Sequence, residues 1–133
     1  MMHDEFMKIA GYEVSYKDYT DIIEPMYMAV DLSKEEFVKT INKDRFALRP
    51  IGDIITDMQA IGEERKTHCT HFYDSTASDR LDSLITEYME RKGIQSIARY
   101  QIESKQIFSC YYPAKVVIYS NRTFETIETI EIA

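Results

Sequence analysis

The pattern of hydrophobic residues changes its period at Gly93, and this change constrains the fold more than any other feature. Before Gly93, apolar residues recur at the three- and four-residue spacing of amphipathic helices, as in Ile54, Met58 and Ile61. After Gly93, β-branched and aromatic residues dominate, as in the segment KVVIY of residues 115–119. Helices followed by strands predict an α+β fold, with about four N-terminal helices and then an antiparallel sheet of three to four strands.

Two other segments of the β part also predict strands. Residues 107–112 are rich in strand-forming residues. Residues 123–132 repeat with a period of three, which fits neither a flat strand nor a helix, and their β-branched content favours a strand with a bulge.

Length and linker composition favour one domain. The chain has 133 residues, which is within the usual size of a single domain. No long segment rich in Gly, Ser or Pro divides it. We therefore expect a single domain over residues 1–133, with a helical part over residues 1–93 and a β part over residues 94–133.

Capping residues mark several helix boundaries. Ser15 and Ser33 each precede a helical stretch and can accept a hydrogen bond from a backbone N–H of the first turn. Gly11 and Gly93 follow helical stretches, where a left-handed backbone often ends a helix.

The segment IIEPMYMAV, residues 22–30, places a proline inside an apolar helical pattern. Pro25 cannot donate a backbone hydrogen bond, and its ring would clash with the carbonyl of Asp21, at a cost of about 3 kcal/mol in a straight helix. The helix could bend between these two residues, or stop at Ile23 and restart at Pro25. Met28 would point outward on a straight helix, and the change of direction could bury it.

The charge balance and the absence of a long apolar run indicate an acidic protein of the cytoplasm. The net charge is −7, and the acidic excess lies in the first two thirds of the chain, which favours basic partners over nucleic acid. We expect no membrane segment and no signal peptide. Two cysteines far apart in the sequence are typical of free thiols in an intracellular protein.

The glycines argue against a nucleotide site, and we expect no cofactor. A loop that binds phosphate needs clustered glycines, so that backbone N–H groups can surround the anion. The four glycines of this chain are dispersed.

His68, Cys69 and His71 form the densest group of chemically active side chains. These residue types bind zinc, and a cysteine beside histidines can also act as a nucleophile. Adjacent residues point in different directions, however, and a polar helix end with one buried cysteine accounts for the same letters. A small metal-dependent hydrolase around these residues is therefore an alternative function, whereas our main prediction includes neither a metal site nor catalytic residues.

Aromatic and acidic residues of the β part supply the candidate binding sites. The chain has ten tyrosines and no tryptophan, and basic residues lie between the tyrosines of the predicted sheet. Such a face can bind protein, stack single-stranded bases, or pack as an ordinary sheet core. A row of glutamates near the C-terminus could meet a basic groove or protect a sheet edge. The predicted binding residues are Tyr111, Tyr112, Tyr119, Glu125, Glu128 and Glu131.

The N-terminal third resembles a segment found in small uncharacterised proteins of phages and conjugative elements of Firmicutes. The resemblance covers residues 4–48 and rests on EVSYKDY, IIEPMYMA and LSKEEFVK. It implies a mobile-element protein in a bacterial cytoplasm. Small acidic proteins of that setting include anti-CRISPR inhibitors, which bind nuclease effectors without chemistry of their own.

These observations together predict a non-enzymatic inhibitor or adaptor that binds a protein partner. The resemblance implies that this partner could be a CRISPR or other defence nuclease, whose basic groove an acidic surface would fit. The alternative of a single-stranded nucleic-acid-binding protein uses the tyrosine-rich sheet.

Overall fold

Helices fill the first two thirds of the chain and an antiparallel sheet follows, so the predicted α+β fold class is confirmed. The computed structural model describes residues 1–68 and 75–133. Contacts divide the chain into two compact units, Met1–Arg49 and Pro50–Ala133. Within the described ranges, no helix is both long and apolar enough to cross a membrane.

The first unit consists of short helices with the expected boundaries. The hydroxyls of Ser15 and Ser33 accept hydrogen bonds from the backbone N–H groups three residues later, at 3.0 and 3.2 Å. Gly11 has φ +78° at the end of the first helix. The elements are α1 (His3–Ala10), α2 (Tyr16–Asp18), a π-helical turn (Tyr19–Ile23), α3 (Glu24–Met28), α4 (Lys34–Thr40) and α5 (Lys43–Phe46).

A π-helical turn accommodates Pro25. The N–H of Glu24 donates to the carbonyl of Tyr19, five residues earlier instead of four. This wider turn comes just where the missing donor and the ring of Pro25 would disturb a regular α-helix. The helix therefore continues, with Pro25 as the second residue of α3, so the expected stop at Ile23 is wrong. Met28 is 79% exposed, so its expected burial is wrong.

Aromatic side chains dominate the core of the first unit. The ring of Tyr27 contacts that of Phe37 edge to face, with centroids 5.0 Å apart, and so joins α3 to α4. Lys34 on α4 donates to Glu5 on α1 at 2.7 Å. The buried residues are Phe6, Val14, Tyr19, Ile23, Phe37, Val38, Ile41 and Phe46.

The second unit packs two long helices against one face of a three-stranded sheet. Its described elements are α6 (Ile51–Thr67), α7 (Ser75–Arg91), β1 (Ala98–Ile107), β2 (Cys110–Ser120) and β3 (Thr126–Glu131). The strands are antiparallel in the order β1-β2-β3. Because α6 and α7 share a core with the sheet, the two units do not coincide with the helical and β parts. The single-domain organisation stays a prediction.

A bulge in β3 explains the period of three in the C-terminal sequence. Tyr119 pairs with Thr126, whereas the preceding residue Ile118 pairs with Glu128, so Ile127 is the extra residue. Beyond the bulge the period is two, and Ile130 is buried whereas its neighbours are exposed. The bulge expected from the sequence is confirmed.

Gly62 lets the C-terminal residues approach α6. A Cβ atom at this position would lie 2.3 Å from the carbonyl oxygen of Ile132, which no real side chain tolerates. Ile132 is itself buried, and its N–H donates to the carbonyl of Ala114 on β2 at 2.9 Å. Gly62 therefore fixes how closely the helix and the end of the chain can pack.

Candidate functional site

The hairpin that joins β1 to β2 has a bulky residue at its turn, in a backbone conformation that such residues rarely adopt. Ile107 pairs with Cys110, so the connection consists of Phe108 and Ser109 alone. Phe108 has φ +54°, a left-handed conformation that two-residue hairpins usually assign to Gly or Asn. A bulky residue there costs about 1–2 kcal/mol. Such strain at an exposed tip motivates a functional explanation.

The same tip exposes large aromatic side chains. Phe108 is 94% exposed and Tyr111 is 65% exposed. Phenylalanine and tyrosine are enriched at protein–protein interfaces, and tyrosine is common among the residues that contribute most to binding.

Next to the tip is a cleft of about 280 Å³ between α6, α7 and the sheet. Its walls are mainly apolar, with hydroxyl groups and one guanidinium. It is lined by Ile61, Arg65, Ala77, Ser78, Leu81, Ile102, Ser104, Tyr111, Tyr112 and Pro113. Among these described lining residues, none is His, Cys, Asp or Glu. The cleft can therefore accept an apolar side chain with polar contacts at its rim, and its described lining residues include no carboxylate or imidazole that could act as a general base.

Tyr112 forms part of the cleft wall and is not a free binding side chain. It is buried on the helix-facing side of β2, and the ammonium of Lys66 on α6 lies 5.9 Å from its ring centroid. This contact joins α6 to the sheet next to the cleft. Tyr112 therefore positions the cleft, whereas Tyr111 faces solvent.

Tyr119 lies at the opposite end of β2. Its ring centroid is 6.4 Å from that of Phe124, which is 74% exposed and also has a positive φ of +62°. A second pocket of about 310 Å³ lies here, and it also includes Arg99 and Tyr100. Tyr119 is eight positions after Tyr111, which corresponds to roughly 26 Å along a strand. The structure thus brings Tyr111 and Tyr112 together and leaves Tyr119 apart.

The four sheet tyrosines do not share one face. Tyr100 and Tyr112 face the helices, whereas Tyr111 is exposed and Tyr119 is half-buried. The hydroxyl of Tyr100 donates to Asp82 on α7 at 2.9 Å. The expectation of one continuous tyrosine-rich face is therefore wrong, because successive side chains of a strand alternate between its two sides.

The three predicted glutamates do not form one row either. Glu128 is half-buried and accepts a hydrogen bond from the hydroxyl of Tyr88 on α7. Glu131 is exposed, and three residues along a strand place the two side chains on opposite sides. Glu125 is exposed before β3 begins. Of the predicted acidic strip, only Glu125 and Glu131 can meet a partner.

Buried Tyr88 and half-buried Tyr100 each pair with a carboxylate and have raised pKa values. Burial, followed by the hydrogen bond to Asp82, raises the pKa of Tyr100 to about 12. Burial and the hydrogen bond to Glu128 raise the pKa of Tyr88 well above its usual range. Both pairs join α7 to the sheet, and both keep a neutral phenol beside a carboxylate. The hydrogen bond from Tyr88 therefore gives Glu128 a structural role.

The group around Cys69 falls largely outside the described residues. His68 follows the last residue of α6, and Cys69 and His71 lie beyond the described range. Within residues 1–68 and 75–133, no three His, Cys, Asp or Glu side chains are grouped so that they could hold a metal ion. The metal-dependent alternative around Cys69 therefore stays a prediction.

Sequence reasoning missed Phe108. The stretch from Ile107 to Tyr112 consists of strand-forming residues with no Gly, Asn, Asp or Pro to indicate a turn, and we expected one strand there. The structure breaks this stretch at Phe108. A usable signal was length, because an uninterrupted strand from β1 through β2 would exceed 20 residues, far beyond the usual range.

Comparison of the chain with protein-family models, with curated proteins and with solved structures finds no match.

Proposed function

We propose that this chain is a non-enzymatic protein-binding inhibitor or adaptor, and that Phe108 and Tyr111 are its main contact residues. The observation that carries the proposal is the exposed phenylalanine held in a left-handed backbone at the hairpin tip. Glycine at this position would remove the strain. The presence of phenylalanine is therefore explained by a contact between its ring and another molecule.

The cleft beside the tip extends this contact surface. Phe108 would enter a pocket of the partner, while a partner side chain would enter the cleft beside Tyr111. Both interactions bury apolar area at the centre of an interface, where single residues contribute most.

The N-terminal resemblance and the charge of −7 suggest the class of partner. A phage or mobile-element protein in the cytoplasm of a bacterial host would gain from blocking a CRISPR or other defence nuclease. The acidic surface would increase the rate of association with a basic groove, and the aromatic tip would then hold the complex together. Glu125 and Glu131 are the predicted acidic residues that remain exposed for this role.

The test compares Phe108→Gly with the matched variant Phe124→Gly. Both residues are exposed and both have positive φ, so both changes remove a ring and relieve the backbone. A tagged chain is used to isolate and identify a partner from a Firmicutes host, and the affinity of the purified pair is then measured. We expect Phe108→Gly to weaken binding at least about 30-fold, as for a main contact residue. Equal affinities of Phe108→Gly and the parent would contradict the proposal.

The nuclease part of the proposal has its own measurement. Cleavage of target DNA by purified CRISPR effector nucleases is followed with increasing amounts of the parent chain or of Phe108→Gly. Inhibition by the parent that is lost in the variant supports this partner class. If the identified partner binds the tip but has no nuclease activity, the protein-binding function stands and the inhibition of a nuclease is excluded.

The two other functions have direct tests. Gel shifts with single-stranded oligonucleotides at low and high salt test nucleic-acid binding, which the division of the tyrosines between two sides does not favour. Metal analysis of the purified protein tests the hydrolase, since stoichiometric zinc would support a site at Cys69.

A further inference from the structure

The first strand of the sheet has an unpaired edge. β1 pairs with β2 alone, and the strand order β1-β2-β3 places it at one side of the sheet. Within residues 1–68 and 75–133, no backbone hydrogen bond from outside the sheet reaches the ten residues of β1. A long strand of this kind is a template for another strand, because its free N–H and C=O groups can form a second ladder.

The hydrogen bonds to β2 identify the free groups. The N–H of Asn121 donates to the carbonyl of Ile97 at 3.0 Å, and Ile107 pairs with Cys110 across the two-residue turn. Hydrogen-bonded pairs alternate along an antiparallel ladder, so the odd-numbered residues of β1 bond to β2. The even-numbered residues of the range 98–106 therefore direct their backbone N–H and C=O groups to the free edge.

The other edge strand, β3, is protected. It has six residues and a bulge at Ile127, and the side-chain amide of Gln59 on α6 donates to the carbonyl of Glu131 at 3.3 Å. Short length, bulges and cover by another element are common means of protecting an edge. β1 has ten residues and no proline, and the bulge of the β1–β2 ladder has its extra residue, Ala114, on β2. The edge of β1 is therefore open.

The sequence of β1 is complementary to itself in one antiparallel register. This register sets Gln101 opposite Gln101 of a second copy. Arg99 then lies opposite Glu103 of the copy. Tyr100 lies opposite Ile102, and each of the two pairs occurs twice by symmetry. Opposite charges, and an aromatic residue facing a β-branched one, are favourable cross-strand pairs.

The registers centred further along β1 are less suitable. A pairing centred on Ile102 would set Arg99 against Lys105, and one centred on Glu103 would set that carboxylate against its own copy. Like charges directly opposite each other are destabilising. A pairing centred on Ser104 would join Glu103 to Lys105, but it would include the register shift between Glu103 and Ser104, where a bulge increases the twist.

We infer that β1 pairs with β1 of a second copy of this chain, antiparallel and with Gln101 at the two-fold axis. The even-numbered residues of the two strands exchange hydrogen bonds, so that two three-stranded sheets join into one. Arg99 and Glu103 of the two copies meet on the exposed face of this sheet. A two-fold contact of this kind is closed, so it produces a dimer.

This inference does not depend on the proposed function, because the purified chain forms the contact without any other protein. The paired residues 99–103 include neither Phe108 nor Tyr111. A failure to dimerise would leave partner binding at the hairpin tip unaffected.

Sedimentation velocity of the purified chain over a range of concentrations measures the dimer. We expect Arg99→Glu to weaken self-association at least about 10-fold, because it places like charges opposite each other twice. Arg99→Glu combined with Glu103→Arg restores opposite charges and should recover most of the affinity. Circular dichroism checks the fold of these variants, since Glu103 also pairs with Lys115 on β2 at 3.3 Å.

Lys105→Glu is the matched control for net charge. Lys105 is an exposed residue of the same strand, and it lies outside the paired residues 99–103. Its reversal changes the net charge as much as Arg99→Glu does. We therefore expect Lys105→Glu to dimerise at least as well as the parent.

Disulfide crosslinking tests the register itself. Gln101 and Gln106 are both exposed glutamines of β1, and only Gln101 faces its own copy in the inferred register. After mild oxidation with copper phenanthroline, Gln101→Cys should form a disulfide-linked dimer. Gln106→Cys and the parent, which has Cys69 and Cys110, should form little.

Three results would overturn the inference. The first is a parent chain that stays monomeric up to about 1 mM, since the open edge would then serve a strand of another protein. The second is equal self-association of Arg99→Glu and the parent, or an equal loss in Lys105→Glu, which would indicate an effect of net charge. The third is crosslinking of Gln106→Cys as efficient as that of Gln101→Cys.

Discussion

Replacement of Gly62 by alanine tests the packing of the second unit, because two effects of opposite sign compete there. Within a helix, alanine is favoured over glycine by about 1 kcal/mol. At Gly62, however, the new Cβ would lie 2.3 Å from the carbonyl oxygen of Ile132 and 2.8 Å from its carbonyl carbon. Ordinary contact begins at 3.4 Å, so the helix or the chain end must move by roughly 1 Å.

The C-terminal residues cannot move without loss. The N–H groups of Ile132 and Ala133 both donate to the carbonyl of Ala114, at 2.9 and 3.0 Å, and the side chain of Ile132 is buried. Overpacking costs about 1–3 kcal/mol, and weakening a backbone hydrogen bond costs about 1 kcal/mol more. After subtraction of the gain in helix propensity, we expect Gly62→Ala to lower the free energy of unfolding by about 1–3 kcal/mol.

Gly52 provides the control in the same helix. No atom lies within 4 Å of a Cβ built there, so Gly52→Ala should raise the free energy of unfolding by up to about 1 kcal/mol. Urea unfolding followed by circular dichroism measures both variants, and the midpoints should move in opposite directions. If the Gly62→Ala variant is as stable as the parent or more stable, the result would contradict the close approach of Ile132 to α6.

Three further predictions concern helix capping, alkaline stability and the hairpin. Ser33→Ala removes the hydroxyl that caps α4 and should lower the free energy of unfolding, measured in urea, by about 1 kcal/mol. An unchanged free energy of unfolding would contradict the cap. The folded state holds the phenol proton of Tyr100 more tightly than the unfolded state, since its pKa rises from 10.0 to about 12. The contribution of Tyr100 to the free energy of unfolding should therefore be constant below pH 10 and should fall as the pH rises toward 12. Tyr100→Phe should reduce that fall, and an equal fall in the variant would contradict the assignment. Phe108→Gly should raise the midpoint of thermal unfolding, because it removes about 1 kcal/mol of backbone strain, and a lowered midpoint would contradict that assignment.

Local rules predicted the parts of the fold that depend on neighbouring residues. The change of period at Gly93 gave the order of helices and strands, and the hydroxyls of Ser15 and Ser33 cap as expected. The bulge at Ile127 followed from a repeat that fits neither a regular strand nor a helix. These features need only the spacing of apolar residues and the chemistry of one side chain.

Features that depend on distant residues were beyond such rules. Pro25 indicated a disturbed helix, but it did not indicate that the disturbance is a π-helical turn, after which Tyr27 packs on Phe37 of another helix. Glu128 looked like part of a solvated row, because its partner Tyr88 is 40 residues away. The candidate site was half predicted, since Tyr111 and Tyr112 belong to it and Phe108 carried no turn signal.

Site-specific photo-crosslinking tests the central claim of protein binding through the hairpin tip most directly. A benzophenone amino acid replaces Phe108 in one variant and Phe124 in another, both at exposed positions of the second unit. After irradiation in host extract, the account predicts one dominant crosslinked protein from position 108 and none of comparable yield from position 124. The same weak crosslinks from both positions would contradict it.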